Sequence, residues 1–468
     1  MKTNQTQIPL ATLRAVLFLL LALSAMAIAL KAKLRDSAKS SGVSSTALPV
    51  ARPEDEGFST ERLQRVHEIM QRHIDAKEIS GVVTMISRHG HVIYFEAQGM
   101  QDIESKKPMQ KDAVFELASA TKPITATLVM MLVEEGKIRL DDPVYKFIPE
   151  FKNEKVRTLK AGVAIRHVVG PDPISKNNVR DYTSGDYDGN PPEDFNEFPA
   201  VHEITVHDLL THTSGLMSAW AGAPVNPKGS PQQEDLTNTT LAVLVPKFAS
   251  VPLDFQPGTR WAYSNWAGFD VLARIVEIAS SQTYGEFLKQ RLLEPLGMKD
   301  TWIGPLHDAR APRVATRYQM TPKGLVKYLP EKPFIRTTTY FSGGAGLSGT
   351  PEDYWKFGQM LLNGGEFNGK RILSPASIQL MTSNHVGDLF AKGQNSPGMG
   401  FGLGFSIVVD HAQNDTYLPD GTYVWAGATG VKTSMSPKEN LILNFMVAGG
   451  GGKASEDFET AAIQAMMH

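Results

Sequence analysis

Apolar residues between Ser59 and Lys77 fall at Leu63, Val66, Ile69, Met70 and Ile74, the spacing of one helical face. Gly81–Ser87 and Val92–Ala97 are rich in β-branched and aromatic residues around His89-Gly90, which predicts a hairpin. Ala120–Glu135 is apolar almost throughout and predicts a buried helix, with Gly136 as its stop. Residues 152–203 are polar and carry Pro171, Pro173, Pro191 and Pro192, the pattern of a surface excursion. Asn265–Ser280 predicts an amphipathic helix, and Thr283 with Glu286 forms a capping-box pair opening the next one. Thr350-Pro351-Glu352-Asp353 reads as a helix start with proline at its first position. Toward the C-terminus, Gly402–Val409, Gly421–Trp425, Val431–Met435 and Leu441–Val447 predict strands, and Ser455–Met467 a closing helix. Strands thus sit at both ends and helices between. The predicted class is α+β: an antiparallel sheet built from both chain ends and flanked by helices, with a mostly helical inserted region. No internal repeat is visible.

Composition narrows the chemistry. Lys+Arg 47 against Asp+Glu 49 leaves a net charge of −2, and no basic stripe points to nucleic acid. The chain has no cysteine, which excludes disulfides, thiolate metal sites and a cysteine nucleophile. Lys2 and Arg14 precede an uncharged apolar run from Ala15 to Leu30, which contains small-x-small patterns at Ala25-Met26-Ala27 and Ala27-Ile28-Ala29. Residues 1–30 are therefore expected to act as an export signal or, alternatively, a membrane anchor, and 31–50 as a tether. Lys31, Lys33, Arg35 and Lys39 favour the anchor. Residues 51–468 are expected to form the working domain, outside the cytoplasm.

Several motifs fail on context. Gly344–Gly349 matches G-x-G-x-x-G, but the threonine-rich Arg336–Tyr340 before it is no buried aliphatic strand. Gly364–Lys370 spells G-x-x-x-x-G-K, yet Arg371 replaces the Ser/Thr that would hold magnesium. His202, His207 and His212 recur every five residues, which is neither a helical nor a strand face. They read as solvated or core histidines. Asp186-x-Asp188-Gly189 lacks the distal Glu of a calcium loop. G-x-S-x-G is absent, so there is no nucleophile elbow. No metal or cofactor is expected.

Ser119-Ala120-Thr121-Lys122 is the only S-x-x-K in the chain and opens the apolar helix. Three residues apart on a helix is one face. A serine hydroxyl becomes a nucleophile when a base takes its proton, and a lysine can be that base when burial lowers its pKa. The free N–H groups of a helix start also suit an oxyanion. Tyr263-Ser264-Asn265 lies just before another helix. Tyr263 can share the serine's proton, and Asn265 can hold a substrate carbonyl, bind Lys122 or cap the helix. Trp425-Ala426-Gly427 ends a predicted strand, where Gly427 permits close approach of a substrate carbonyl.

Together these residues resemble the serine β-lactamase/penicillin-binding-protein superfamily, in the class C β-lactamase-related branch that contains family VIII carboxylesterases. Phe115–Pro149, Thr205–Leu216, Gln256–Asn265, Gly346–His385 and Gly400–Phe405 are also similar to that branch. The resemblance implies a β-lactamase/transpeptidase-like fold and acyl-enzyme chemistry on a small ester or amide. It implies Ser119 as nucleophile, Lys122 as general base, Tyr263 as proton relay and Asn265 as a substrate contact. The third motif, K-T-G in β-lactamases, would be the W-x-G of esterase-type members at Trp425–Gly427. The oxyanion hole would be the N–H groups of Ser119 and Ala428. Lys432-Thr433-Ser434 is a competing, imperfect K-T-G. A tryptophan in place of the lysine removes positive charge for a substrate carboxylate and favours neutral esters. A β-lactamase, a D-amino peptidase and an acyltransferase remain open, as does a catalytically silent peptidoglycan- or peptide-binding relative. The oligomeric state is not legible.

Overall fold

The computed structural model describes residues 48–159, 168–169, 179–180, 195–218, 236–304, 310–328 and 339–468. Eight strands form one antiparallel sheet. They are β1 (Gly81–Arg88), β2 (His91–Asp102), β3 (Lys107–Pro108), β4 (Met399–Phe401), β5 (Ser406–Val408), β6 (Tyr423–Ala426), β7 (Lys432–Ser436) and β8 (Leu441–Val447). Their spatial order is β4-β5-β6-β7-β8-β1-β2-β3. The two chain ends meet where β1 pairs with β8, Val82 opposite Val447 through Arg88 opposite Leu441. This is the α+β arrangement the sequence predicts.

Helices cover both faces. On one face, α1 (Thr60–Asp75) and the C-terminal α5 (Gly452–Gln464) bury Leu63, Val66, Met70, Phe458 and Ala462 against Val82, Ile86, Leu443 and Phe445. Each of these side chains larger than alanine contributes roughly 1.5–3 kcal/mol. On the other face lie α2 (Lys122–Glu134), α3 (Ala267–Ser280) and α4 (Pro351–Leu362), which belong to the inserted region. Trp355 of α4 donates its indole N–H to Ser87 Oγ on β1 at 2.7 Å. Helix α2 buries every residue from Lys122 to Leu132, as an all-round apolar sequence requires.

Some boundaries differ from expectation. The strand predicted over Gly402–Val409 is a hairpin instead, because Gly404 takes φ 89° and Gly402 N–H bonds the Phe405 carbonyl. A Cβ on Gly402 would lie 2.3 Å from the Met381 carbonyl oxygen. Helix α3 begins at Ala267 with Trp266 at its cap position, so Asn265 precedes the cap. Gly364–Lys370 is hairpin, not phosphate loop: Glu366 pairs with Arg371 and Phe367 with Lys370. At the base of the 152–203 excursion, Lys155–Leu159 pairs with Phe195–Pro199. Most of the excursion, including Asp186 and Asp188, lies outside the described residues.

The expected anchor requires correction. Among the described residues no helix is long and apolar enough to cross a membrane. The run Ala15–Leu30 itself lies outside the described residues. It is shorter than the ~20 residues a spanning helix needs. Membrane anchoring, and the exported or anchored location inferred from that segment, are withdrawn.

The Thr283 capping box forms as predicted. Glu286 N–H donates to Thr283 Oγ1 at 3.2 Å, and Thr283 N–H to the Glu286 carboxylate at 3.1 Å. It starts the helix that places Tyr284, whose hydroxyl meets Thr125 of α2 at 2.7 Å. Thr283→Ala is expected to cost ~1 kcal/mol. Urea unfolding should show a lower midpoint at unchanged slope.

Candidate active site

Ser119 stands in a 3-10 turn, Ala118–Thr121, that runs directly into α2 at Lys122. Residues three apart eclipse in a 3-10 turn, so the S-x-x-K pair shares a face although the α-helix starts only at the lysine. Ala118, just before the serine, is held at φ 45°, a strained conformation for alanine. The surroundings fix it. Leu117 N–H donates to Leu347 C=O at 2.9 Å, Tyr354 hydroxyl to Ala120 C=O at 2.9 Å, and Thr429 hydroxyl to Glu116 C=O at 2.6 Å. Trp425 Nε1 donates to the Ser119 carbonyl at 2.9 Å.

Lys122 is fully buried. Its Nζ lies 3.2 Å from Ser119 Oγ and donates to the carbonyls of Asn265 and of Gly344, the latter at 2.9 Å. Burial drives its pKa down to about 7, against the pull of the Asp270 carboxylate, which favours the charged form. Tyr263, half-buried, donates its hydroxyl proton to Ser119 Oγ at 2.6 Å. Its ring also lies 4.9 Å from Lys122 Nζ. Asn265 thus meets Lys122, but through its backbone carbonyl.

At the strand end, Gly427 is pressed onto the nucleophile segment: a Cβ there would fall 2.2 Å from the Leu117 carbonyl oxygen. Ala428 beyond it is exposed. Trp425 is 2% exposed, so its indole braces the Ser119 turn more than it lines open space. Trp425 pairs with Thr433, whose hydroxyl bonds Asn444 Oδ1 at 3.0 Å, and Asn444 in turn bonds Pro351 C=O of α4 at 2.9 Å. Lys432 and Ser434, one residue to either side, therefore point to the opposite face. There the Lys432 ammonium pairs with Glu459 of α5 at 2.7 Å, and Ser434 bonds the same carboxylate.

Two further residues reach the site that sequence reasoning did not single out for it. His212 is buried between Tyr263, Trp261, Phe269 and Phe401, its ring 4.7 Å from that of Tyr263. Its C=O accepts Ala262 N–H at 3.1 Å and its Nδ1 accepts Ser264 N–H at 3.3 Å, so it holds both neighbours of Tyr263. Burial, with Lys122 nearby, keeps its pKa well below the ordinary histidine value. Asp270, fully buried on α3, was hidden in a predicted apolar stripe between Phe269 and Val271. Its only sequence signal is that an acid stands there. Among the described residues no group of His, Asp and Glu side chains is arranged to hold a metal ion.

The chain is similar to several known proteins. The family model described as Beta-lactamase matches residues 66–466. Protein Rv1367c of Mycobacterium tuberculosis (strain ATCC 25618 / H37Rv) is 32% identical over 382 residues, 80% of this chain and 86% of that protein. Esterase EstB of Burkholderia gladioli is 29% identical over 384 residues, 78% of this chain and 85% of that protein. The solved structure of EstCE1, described as a hydrolase with promiscuous acyltransferase activity, superposes with a TM-score of 0.66. It is 26% identical and covers 86% of this chain and 98% of its own.

Proposed function

The chain belongs to the Beta-lactamase family, in its family VIII carboxylesterase-like branch of acyl-enzyme serine hydrolases, and we propose that it cleaves small neutral carboxylic esters with Ser119 as nucleophile. One observation carries this reading. Lys122 Nζ has two partners, the carbonyls of Asn265 and Gly344, that can only accept. A neutral amine spends its two N–H bonds on them and turns its lone pair to Ser119 Oγ at 3.2 Å, while Tyr263 donates to that oxygen at 2.6 Å.

In this mechanism Lys122 takes the Ser119 proton as Oγ attacks the ester carbonyl carbon. The oxyanion is held by the N–H groups of Ser119 and Ala428. As the carbon–alkoxy bond breaks, the proton passes through Tyr263 to the leaving alcohol. Water then attacks the acyl-enzyme, gives its proton to the same relay, and Ser119 leaves as the hydroxyl. Another alcohol in the place of water would make the reaction acyl transfer, the side activity named for EstCE1.

The choice of neutral esters rests on charge. The strand end facing Ser119, Trp425 to Thr429, carries no cation, and Lys432 is paired on the opposite face. The same side of the site is aromatic, with the rings of Trp425 and Phe401 5.3 Å apart and those of Tyr263 and Trp425 5.8 Å apart. A charge-assisted contact to a substrate carboxylate is worth ~1.5–3 kcal/mol. Its lack predicts kcat/KM for p-nitrophenyl butyrate about tenfold or more above that for nitrocefin. Trp425→Lys should move the ratio toward nitrocefin by no more than ~100-fold. Because the indole bond to the Ser119 carbonyl is lost with it, both absolute rates should drop. Preference of the wild type for nitrocefin would overturn the substrate assignment.

A further inference from the structure

Asp270 has no contact with water, yet its carboxylate is fully engaged. One oxygen accepts from Tyr340 hydroxyl at 2.5 Å. The other accepts from Ser342 hydroxyl at 2.7 Å and Gly344 N–H at 2.9 Å. All three donors belong to one short segment, 340–344. That segment also supplies two carbonyls to α2: Gly343 accepts from Thr125 hydroxyl at 2.6 Å, and Gly344 from Lys122 at 2.9 Å. Gly344 therefore offers its N–H to the acid and its C=O to the amine. The segment lies hard against α3 and its cap. A Cβ on Gly344 would sit 2.6 Å from Trp266 Cα, and one on Gly343 would sit 2.7 Å from Ala273 Cβ. Gly344, the first glycine of the G-x-G-x-x-G match, is thus packed against the start of α3 with its neighbour Gly343.

We propose that Asp270 is the positioning residue of the lysine base: through Tyr340, Ser342 and Gly344 its buried carboxylate sets where the Lys122 amine sits and how readily it releases its proton. The inference rests on Lys122 acting as base for Ser119. The titratable and polar groups facing Lys122 are the Ser119 hydroxyl, the Tyr263 ring, the neutral His212 ring, and Asp270. Tyr340 and Tyr284 face Asp270, and Glu277 faces Tyr340. Asp270 is the acid whose charge reaches the amine. Burial pushes Asp270 up to about 6, while its three hydrogen bonds and Lys122 favour the charged form. Burial lowers the Lys122 pKa, and the Asp270 carboxylate, where ionised, favours the protonated amine.

The sign follows. Removing a negative charge beside an amine disfavours its protonated form, so the base is available at lower pH. The test is the rate of fluorophosphonate labelling against pH, with the labelled peptide mapped, in wild type, Asp270→Asn and Ser342→Ala. Wild type should label at Ser119 with a rate that rises as Lys122 deprotonates. Asp270→Asn keeps the shape of the side chain and should move that rise down by about one pH unit, with a lower plateau. Ser342→Ala keeps the carboxylate but removes a bond that favours its ionised form, so the rise should move the same way by less. A loss of structure alone would lower the plateau without moving the midpoint. A folded Asp270→Asn whose midpoint coincides with wild type overturns the inference and leaves the Ser119–Lys122 reading standing. Should that variant not fold, an unmoved midpoint in Ser342→Ala overturns it equally. Label at a serine other than Ser119 overturns the base reading and this inference with it.

Discussion

Ser119→Ala is expected to lower kcat for p-nitrophenyl butyrate on the order of 10⁴–10⁶-fold, the range that loss of a working group costs in serine hydrolases. The fold should survive. In the structure Ser119 makes no helix cap, and its hydroxyl is engaged only by Lys122 and Tyr263 among the described residues. Its alanine variant leaves the Lys122 amine with both carbonyl partners, and leaves the Trp425 bond to the residue-119 carbonyl untouched, since that bond is to the backbone. The melting temperature should therefore stay level or rise, as it does when a strained, function-bearing polar group is removed. Ala118 at φ 45° marks this turn as one whose strained backbone is held by its surroundings, independently of the Ser119 side chain. The measurement pairs steady-state kinetics with thermal unfolding and probe labelling. A variant that unfolds near wild-type temperature, takes no label and turns over nothing places the nucleophile at Ser119. A variant that retains turnover, or labels at another serine, removes it.

How far the sequence reached depends on whether an interaction is local. The hairpin around His89-Gly90, the Thr283 capping box and the Thr350 helix start each depend on a few adjacent residues, and each lies where the pattern predicts. Ser119 and Lys122 are three residues apart and could be read the same way. Tyr263 comes from 144 residues away, and its likeness to a known motif, not its spacing, brought it into the argument. Asp270 had no such motif, and His212, though inside the Thr205–Leu216 block, offered only the reading of a solvated or core histidine. An acid in the first turn of a helix is commonly a partner for the helix dipole, and the buried partners of Asp270 lie 70 to 74 residues further along the chain. The face of Lys432 follows from strand periodicity only once the register against β6 is known, and register is a tertiary property. The Gly402–Val409 strand failed because its apolar content was legible and the turn geometry at Gly404 was not.

Lys122→Arg should lower kcat/KM by ~10²–10⁴-fold, the contribution of a positioned general base. The argument is about protonation before it is about shape. Full burial brings the lysine amine down to about 7, so a large fraction is neutral at physiological pH. A guanidinium stays protonated and has no lone pair to offer. It would also place a larger planar cation among Tyr263, Phe269 and two carbonyls that accommodate a compact amine. The wild-type pH profile carries the same signature. The working form of Lys122 is the unprotonated one, so kcat/KM should rise with pH through about 7 and level off above it. Below that range the amine keeps its proton, donates to Ser119 Oγ instead of accepting from it, and acylation slows about tenfold per pH unit. Lys122→Arg should abolish this limb along with the rate. If the variant keeps more than about a tenth of wild-type kcat/KM, well outside the loss expected of a missing base, then Tyr263 must activate Ser119 by itself. In that case Lys122 serves only to hold Asn265 and Gly344 in place, and Tyr263→Phe rather than Lys122→Arg would carry the larger loss.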